Sequence, residues 1–175
     1  MEKILLLIII VIFTSCEFKV HSGKISDNNT SNEKIAFKNT FPEKNGFVND
    51  FEKIFNSEQI SGIQSLVNNY EKKFGREIYV ITTSETYGYN NYDGLMSAFF
   101  QKWNVGKLPE QNGLVILLSK SNRKFAITAG LQAQESITDE NINKVIGENV
   151  IPKLKENDFF GGTKKAVEEI IEIWK

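Results

Sequence analysis

Apolar residues along this chain fall into three patterns: one unbroken block near the N-terminus, stripes at three- and four-residue spacing, and short runs rich in β-branched residues. The stripes predict helices and the short runs strands, because side chains return to one helix face about every 3.6 residues and to one strand face every second residue. Ile60, Ile63, Leu66, Val67, Tyr70 and Phe74 make the first stripe. Asn56 with Gln59, or Ser57 alone, can cap its start, and Gly75 can close it. Glu77–Ser84 (EIYVITTS) follows at once and reads as a strand buried on both faces. Beyond the polar, Tyr-rich segment Glu85–Asn91, a second stripe runs through Tyr92, Leu95, Met96, Phe99 and Trp103 to Gly106. Leu114–Leu118 (LVILL) and Lys124–Thr128 (KFAIT) predict two further strands.

The turn-forming residues Lys120 to Arg123 between those two strands predict an antiparallel hairpin. The helix between the first and second strands predicts a parallel pair joined by a right-handed crossover. Thr138-Asp139-Glu140 opens a third helix with Ile142, Val145, Ile146 and Val150 inward, and Pro152 should kink or break it near its end. Ala166, Val167, Ile170, Ile171 and Trp174 mark the last helix. The order α-β-α-β-β-α-α predicts an α/β fold, a small mixed β-sheet flanked by helices on both faces in three α/β/α layers. Such sheets bind ligands at the carboxyl ends of their parallel strands, here Thr83, Ser84 and Glu85 on one strand and Ser119 and Lys120 on the next.

The N-terminal block, Ile4 to Phe13 (ILLLIIIVIF), follows Lys3 and precedes Thr14-Ser15-Cys16. Ten apolar residues are about half of what a helix needs to cross a bilayer core of ~30 Å, but they match the apolar region of a secretory signal. Phe13-Thr14-Ser15-Cys16 resembles a bacterial lipobox, with Phe13 where Leu is commonest. On that reading residues 1–15 are a signal peptide, Cys16 is lipidated, and the mature chain keeps 160 of the 175 residues. The rival reading is a secreted protein with a free thiol. Residues 16–40, polar and without period, read as the lipidated Cys and a flexible tether with a coil span on the order of 25–30 Å. Residues 41–175 are then the folded domain, in the bacterial cell envelope and facing periplasm or surface.

Composition narrows the chemistry. Lys and Arg number 21 against 22 Asp and Glu, a net charge of -1 that does not suit a basic nucleic-acid binder. The only Cys is Cys16 and the only His is His21, which falls in the tether. The region from residue 22 onward therefore holds no Ser-His-Asp triad, no Cys-His pair and no Cys/His zinc site.

The succession of short motifs resembles the TPM-domain family, which includes envelope proteins of the YgcG type. The resemblance covers the chain from about Phe41 to Trp174. It rests on Phe47-Val48-Asn49-Asp50 before a helix, then EIYVITTS, Trp103-Asn104-Val105-Gly106 and Gln111-Asn112-Gly113 feeding LVILL. Arg123-Lys124, Ala129-Gly130-Leu131 with Thr138-Asp139, and Asn157-Asp158-Phe159 complete the series. The resemblance implies calcium or magnesium binding in some members, acid phosphatase activity in some, and assembly or repair roles without catalysis in others.

The family pattern usually carries three acids around the rim. Here the first is kept as Asp50, while Gln111 and Gln132 stand at the other two and Ala129 replaces a glycine. Hard divalent ions need carboxylate charge, so two amides weaken such a site. Asp50 with Glu135 and Asp139 nevertheless remains the candidate metal set, and Glu140 lies beside them. The candidate partner surface is the rim formed by Glu85, Tyr87, Tyr89, Gln111, Asn112 and Gln132. The expected function is a lipid-anchored envelope domain that binds a protein partner as an assembly or quality-control factor, attached to the membrane through Cys16 and without catalysis. The alternatives are a divalent-metal-dependent acid phosphatase and a structural calcium-binding domain without turnover.

Overall fold

The structure, a computed structural model, describes residues 19–24, 40–107 and 110–175. Residues 1–15, read above as a signal peptide, and Cys16 lie outside the described residues. Five strands form one mixed sheet: β1 (Lys19–Lys24), β2 (Val48–Asp50), β3 (Glu77–Thr82), β4 (Gly113–Ser119) and β5 (Lys124–Ala129). Their order across the sheet is β1-β5-β4-β3-β2. β2, β3 and β4 run parallel, β4 and β5 form the expected antiparallel hairpin, and β1 pairs parallel with β5.

Helix α1 (Ser57–Phe74) starts in a capping box between Asn56 and Gln59 and ends at Gly75 in the left-handed region, as its sequence signals indicate. α1 packs on one face of the sheet together with α3 (Asp139–Lys144), α4 (Ile151–Lys155) and α5 (Phe159–Ile173). Among the described helices, α2 (Tyr92–Trp103) alone covers the other face. β3 and β4 feed both cores: Ile78, Val80, Leu114, Ile116 and Leu118 face α1 and α5, while Tyr79, Ile81, Val115 and Leu117 face α2. Each such side chain, fully buried, contributes roughly 1.5–3 kcal/mol. The three-layer α/β/α architecture stands.

Four details correct the sequence reading. Residues 48–50 form an edge strand; three residues are too few to show a period. Lys19–Lys24, read as tether, is the other edge strand, with His21 opposite Ala126. Its polar composition gives no strand signal, and pairing with the open side of β5 supplies the partners its backbone needs. Pro152 does not break its helix. A proline cannot donate the helical hydrogen bond, and the ladder widens beforehand into a π-turn, Val145–Val150, that runs between α3 and α4. The last helix starts well before the stripe at Ala166 that marks it in the sequence, at Asp158-Phe159-Phe160-Gly161-Gly162. Asp158 caps α5 by accepting the Gly161 N–H at 2.8 Å, and a Cβ on Gly161 would sit 2.0 Å from that carboxylate.

Candidate functional site

The carboxyl ends of β2, β3 and β4 form one rim, and the β4–β5 hairpin turn closes it. Asp50 ends β2 directly opposite Thr82, the last residue of β3. Its carboxylate accepts the Ile54 N–H at 3.1 Å, the Phe55 N–H at 2.8 Å and the Thr82 hydroxyl. Glu52 reaches across the rim and accepts the Lys120 and Ser121 N–H groups at 2.9 and 3.1 Å. Asn122 returns from the turn to donate to the Ser84 carbonyl at 2.8 Å and the Ser119 hydroxyl at 2.9 Å. These acids hold the chain's own backbone, as carboxylates do when they cap orphan donors.

The Tyr-rich segment turns its rings inward. Tyr87 lies 5.6 Å from the Phe41 ring and 6.5 Å from Phe99, and its hydroxyl meets that of Thr83 at 3.2 Å. Burial raises the Tyr87 pKa; the Thr83 hydrogen bond opposes the shift and the nearby Glu85 charge adds to it. Tyr89 meets Phe41 edge-on at 6.3 Å. Both tyrosines are half-buried, and Glu85 alone of this trio is exposed.

The opposite rim gathers the start of β4 and the end of β5. Asn112 donates its N–H to the Gly106 carbonyl at 3.0 Å, and Gly130 donates to Gly113 at 2.8 Å. The loops meet so closely that a Cβ on Gly130 would lie 2.1 Å from the Gln111 carbonyl oxygen. The Gly106 N–H donates to the Glu77 carboxylate at 2.8 Å, with Lys107 3.7 Å from the same group. Next to this junction, Leu131, Gln134, Glu135, Ile137, Thr138, Asp139 and Glu140 line an open groove. Leu131 is 44% exposed; among the described residues the other exposed large apolar side chains are Phe51 and Ile173.

The two rims stand at opposite ends of β3, whose six residues span ~17 Å. Asp50, Glu85 and the hairpin belong to the first rim; Gln111, Asn112, Gln132, Glu135 and Asp139 belong to the second. The expected single pocket joining Asp50 to Glu135 and Asp139 is therefore not formed, because β5 runs antiparallel to β4 and carries its carboxyl end away from Asp50. Among the described residues, no three carboxylate, His or Cys side chains come together to hold an ion. The candidate ligand set does not fit a divalent cation. Sequence reasoning missed Glu52 and Thr82. Glu52 lies two residues beyond Asp50, but its partners are 68 and 69 residues away, and no local pattern reports that contact.

A family model described as TPM domain matches residues 48–173. Three solved NMR structures share the fold. The N-terminal domain of a P. gingivalis protein has a TM-score of 0.66 at 17% identity, covering 73% of this chain and 81% of its own. The N-terminal domain of cg2496 from Corynebacterium glutamicum has a TM-score of 0.57 at 18% identity, covering 81% and 89%. BA42 from the psychrophilic Bizionia argentinensis has a TM-score of 0.59 at 20% identity, covering 71% and 88%. At these identities the likeness is one of fold. No curated protein matches the chain. With the family model spanning nearly the whole described α/β domain, the chain belongs to the TPM-domain family.

Proposed function

We propose that this TPM domain is a lipid-anchored envelope factor that acts by holding a protein partner, in assembly or quality control, without catalysing a reaction. The observation that carries this reading is the state of Asp50. The one acid kept from the family's rim pattern already accepts hydrogen bonds from two backbone amides and Thr82. A carboxylate so engaged is poorly placed to grip an ion or to activate water.

The partner surface on this reading is the second rim, where Gln132 and Leu131 are exposed beside the acidic wall of Glu135, Asp139 and Glu140. An apolar contact ringed by carboxylates suits a partner segment that carries apolar and basic residues together. Lipidation of Cys16 would hold the domain at the membrane, since two or more acyl chains give stable anchoring where one does not.

The test pairs two assays on the mature lipoprotein. Affinity capture from detergent-solubilised envelope should recover a partner that Leu131→Lys and Glu135→Lys release, and a chromogenic phosphate ester should not be hydrolysed in a chelator-sensitive way. Recovery no better than with an unrelated lipoprotein, or hydrolysis abolished by chelator and by Asp50→Asn, would contradict the proposal.

A further inference from the structure

We propose that the β4–β5 hairpin end of the sheet lies against the bilayer, so that the Gln132 rim and its groove point away from it. The inference rests on the lipid anchor at Cys16 proposed above. It also rests on an independent observation, the register of β1. Lys19 pairs with Lys124, and Ser119 pairs with Lys124 from the other side, so β1 begins at the hairpin end. Three residue steps separate Cys16 from Lys19, and a fully extended chain covers at most about 11 Å in three steps. Neighbouring strands lie ~4.8 Å apart, so β5 begins within one strand spacing of that point. A 25-residue tether would let the domain swing; a strand docked three residues from the anchor does not.

The hairpin tip itself is basic, which suits contact with an anionic leaflet. The hairpin carries Lys120, Arg123 and Lys124 in five positions, with Lys120 and Arg123 exposed. Two acids at this end are occupied locally: Glu52 accepts the Lys120 and Ser121 amides, and Asp158 pairs with Lys153 at 3.3 Å. Glu58, Glu85, Asp93 and Glu156 are exposed carboxylates toward this end as well. Cations near an anionic leaflet are attracted within a Debye length, and carboxylates are repelled. The anchor thus fixes which rim meets lipid headgroups and which one meets proteins.

The experiment uses the purified lipoprotein in vesicles of phosphatidylethanolamine and phosphatidylglycerol. The domain from residue 22 onward has no cysteine, so Ser121→Cys and Gln132→Cys can each carry a single fluorophore. A headgroup nitroxide lipid should quench the label at position 121 several-fold more than the label at 132. Inserting ten Gly/Ser residues between Glu17 and Phe18 should bring the two together, and Lys120→Glu with Arg123→Glu should lower quenching at 121. Mass analysis of Cys16 and the number of labels bound separate the two claims. An unacylated Cys16, which would take a second label, overturns the anchor and this orientation with it. An acylated protein with equal quenching at both positions, or stronger quenching at 132, overturns the orientation alone.

Discussion

Asp50 and Thr82 close the β2–β3 ladder side chain to side chain: the Thr82 hydroxyl donates to the Asp50 carboxylate, and the same carboxylate gathers the Ile54 and Phe55 amides. The acid is thus a bracket between the edge strand and the segment entering α1. Removing it should cost stability first. Asp50→Ala leaves two amides and a hydroxyl without their acceptor and should destabilise by about 2–4 kcal/mol. Asp50→Asn keeps one acceptor oxygen and should lose less. Urea unfolding of the two variants measures both values; equal stability of Asp50→Ala and wild type would remove the bracket from the account.

Glu52 performs a similar task for the hairpin turn. Glu52→Ala should speed hydrogen exchange at the Lys120 and Ser121 amides, with a stability loss of about 1–2 kcal/mol. Exchange at β3 amides should follow global stability only. Unchanged protection of the two turn amides would contradict the bond seen between these residues.

At the far rim the constraint is steric. Gly130→Ala would force a methyl to within 2.1 Å of the Gln111 carbonyl oxygen, a backbone atom that cannot swing aside. The expected cost is about 3 kcal/mol, at the upper end for overpacking. Gly62→Ala is the control, because nothing lies within 4 Å of its added Cβ and alanine favours helix. It should be neutral or slightly stabilising in the same melts.

Tyr79 predicts an alkaline limit. Its pKa is pushed up to about 12, chiefly by burial and further by the Glu77 and Glu71 charges. Below the ordinary tyrosine value near 10, folded and unfolded chains bind the same proton and stability does not change. Between about 10 and 12 the unfolded chain releases the proton while the folded one keeps it, so stability falls as pH rises. The slope is about 1.4 kcal/mol per pH unit for this one group. Burial also raises Tyr70 and Tyr87, which share the sign. Tyr79→Phe should flatten the fall in stability measured by urea unfolding between pH 10 and 12, and an unaltered slope would assign it elsewhere.

Much of the fold was readable because local signals and packing agree. The stripe from Ile60 to Phe74, the Asn56–Gln59 box and the block LVILL each carry their element on their own residues. The two edge strands were not readable. Val48–Asp50 is too short for a period, and Lys19–Lys24 is polar; both exist through partners on β3 and β5. The site failed for a related reason. Asp50, Gln111, Gln132 and Asp139 follow one another in a family pattern, and sequence order alone cannot say at which end of a mixed sheet each will fall. The hairpin was correctly expected to be antiparallel, and that very reversal carries Gln132 away from Asp50.

Calorimetric titration of the protein with calcium and then magnesium tests most directly whether the first rim's acids bind the chain and not an ion. No saturable heat is expected below millimolar concentrations, and wild type and Asp50→Asn should not differ. A one-to-one isotherm that disappears with Asp50→Asn, while that variant stays folded, would contradict it.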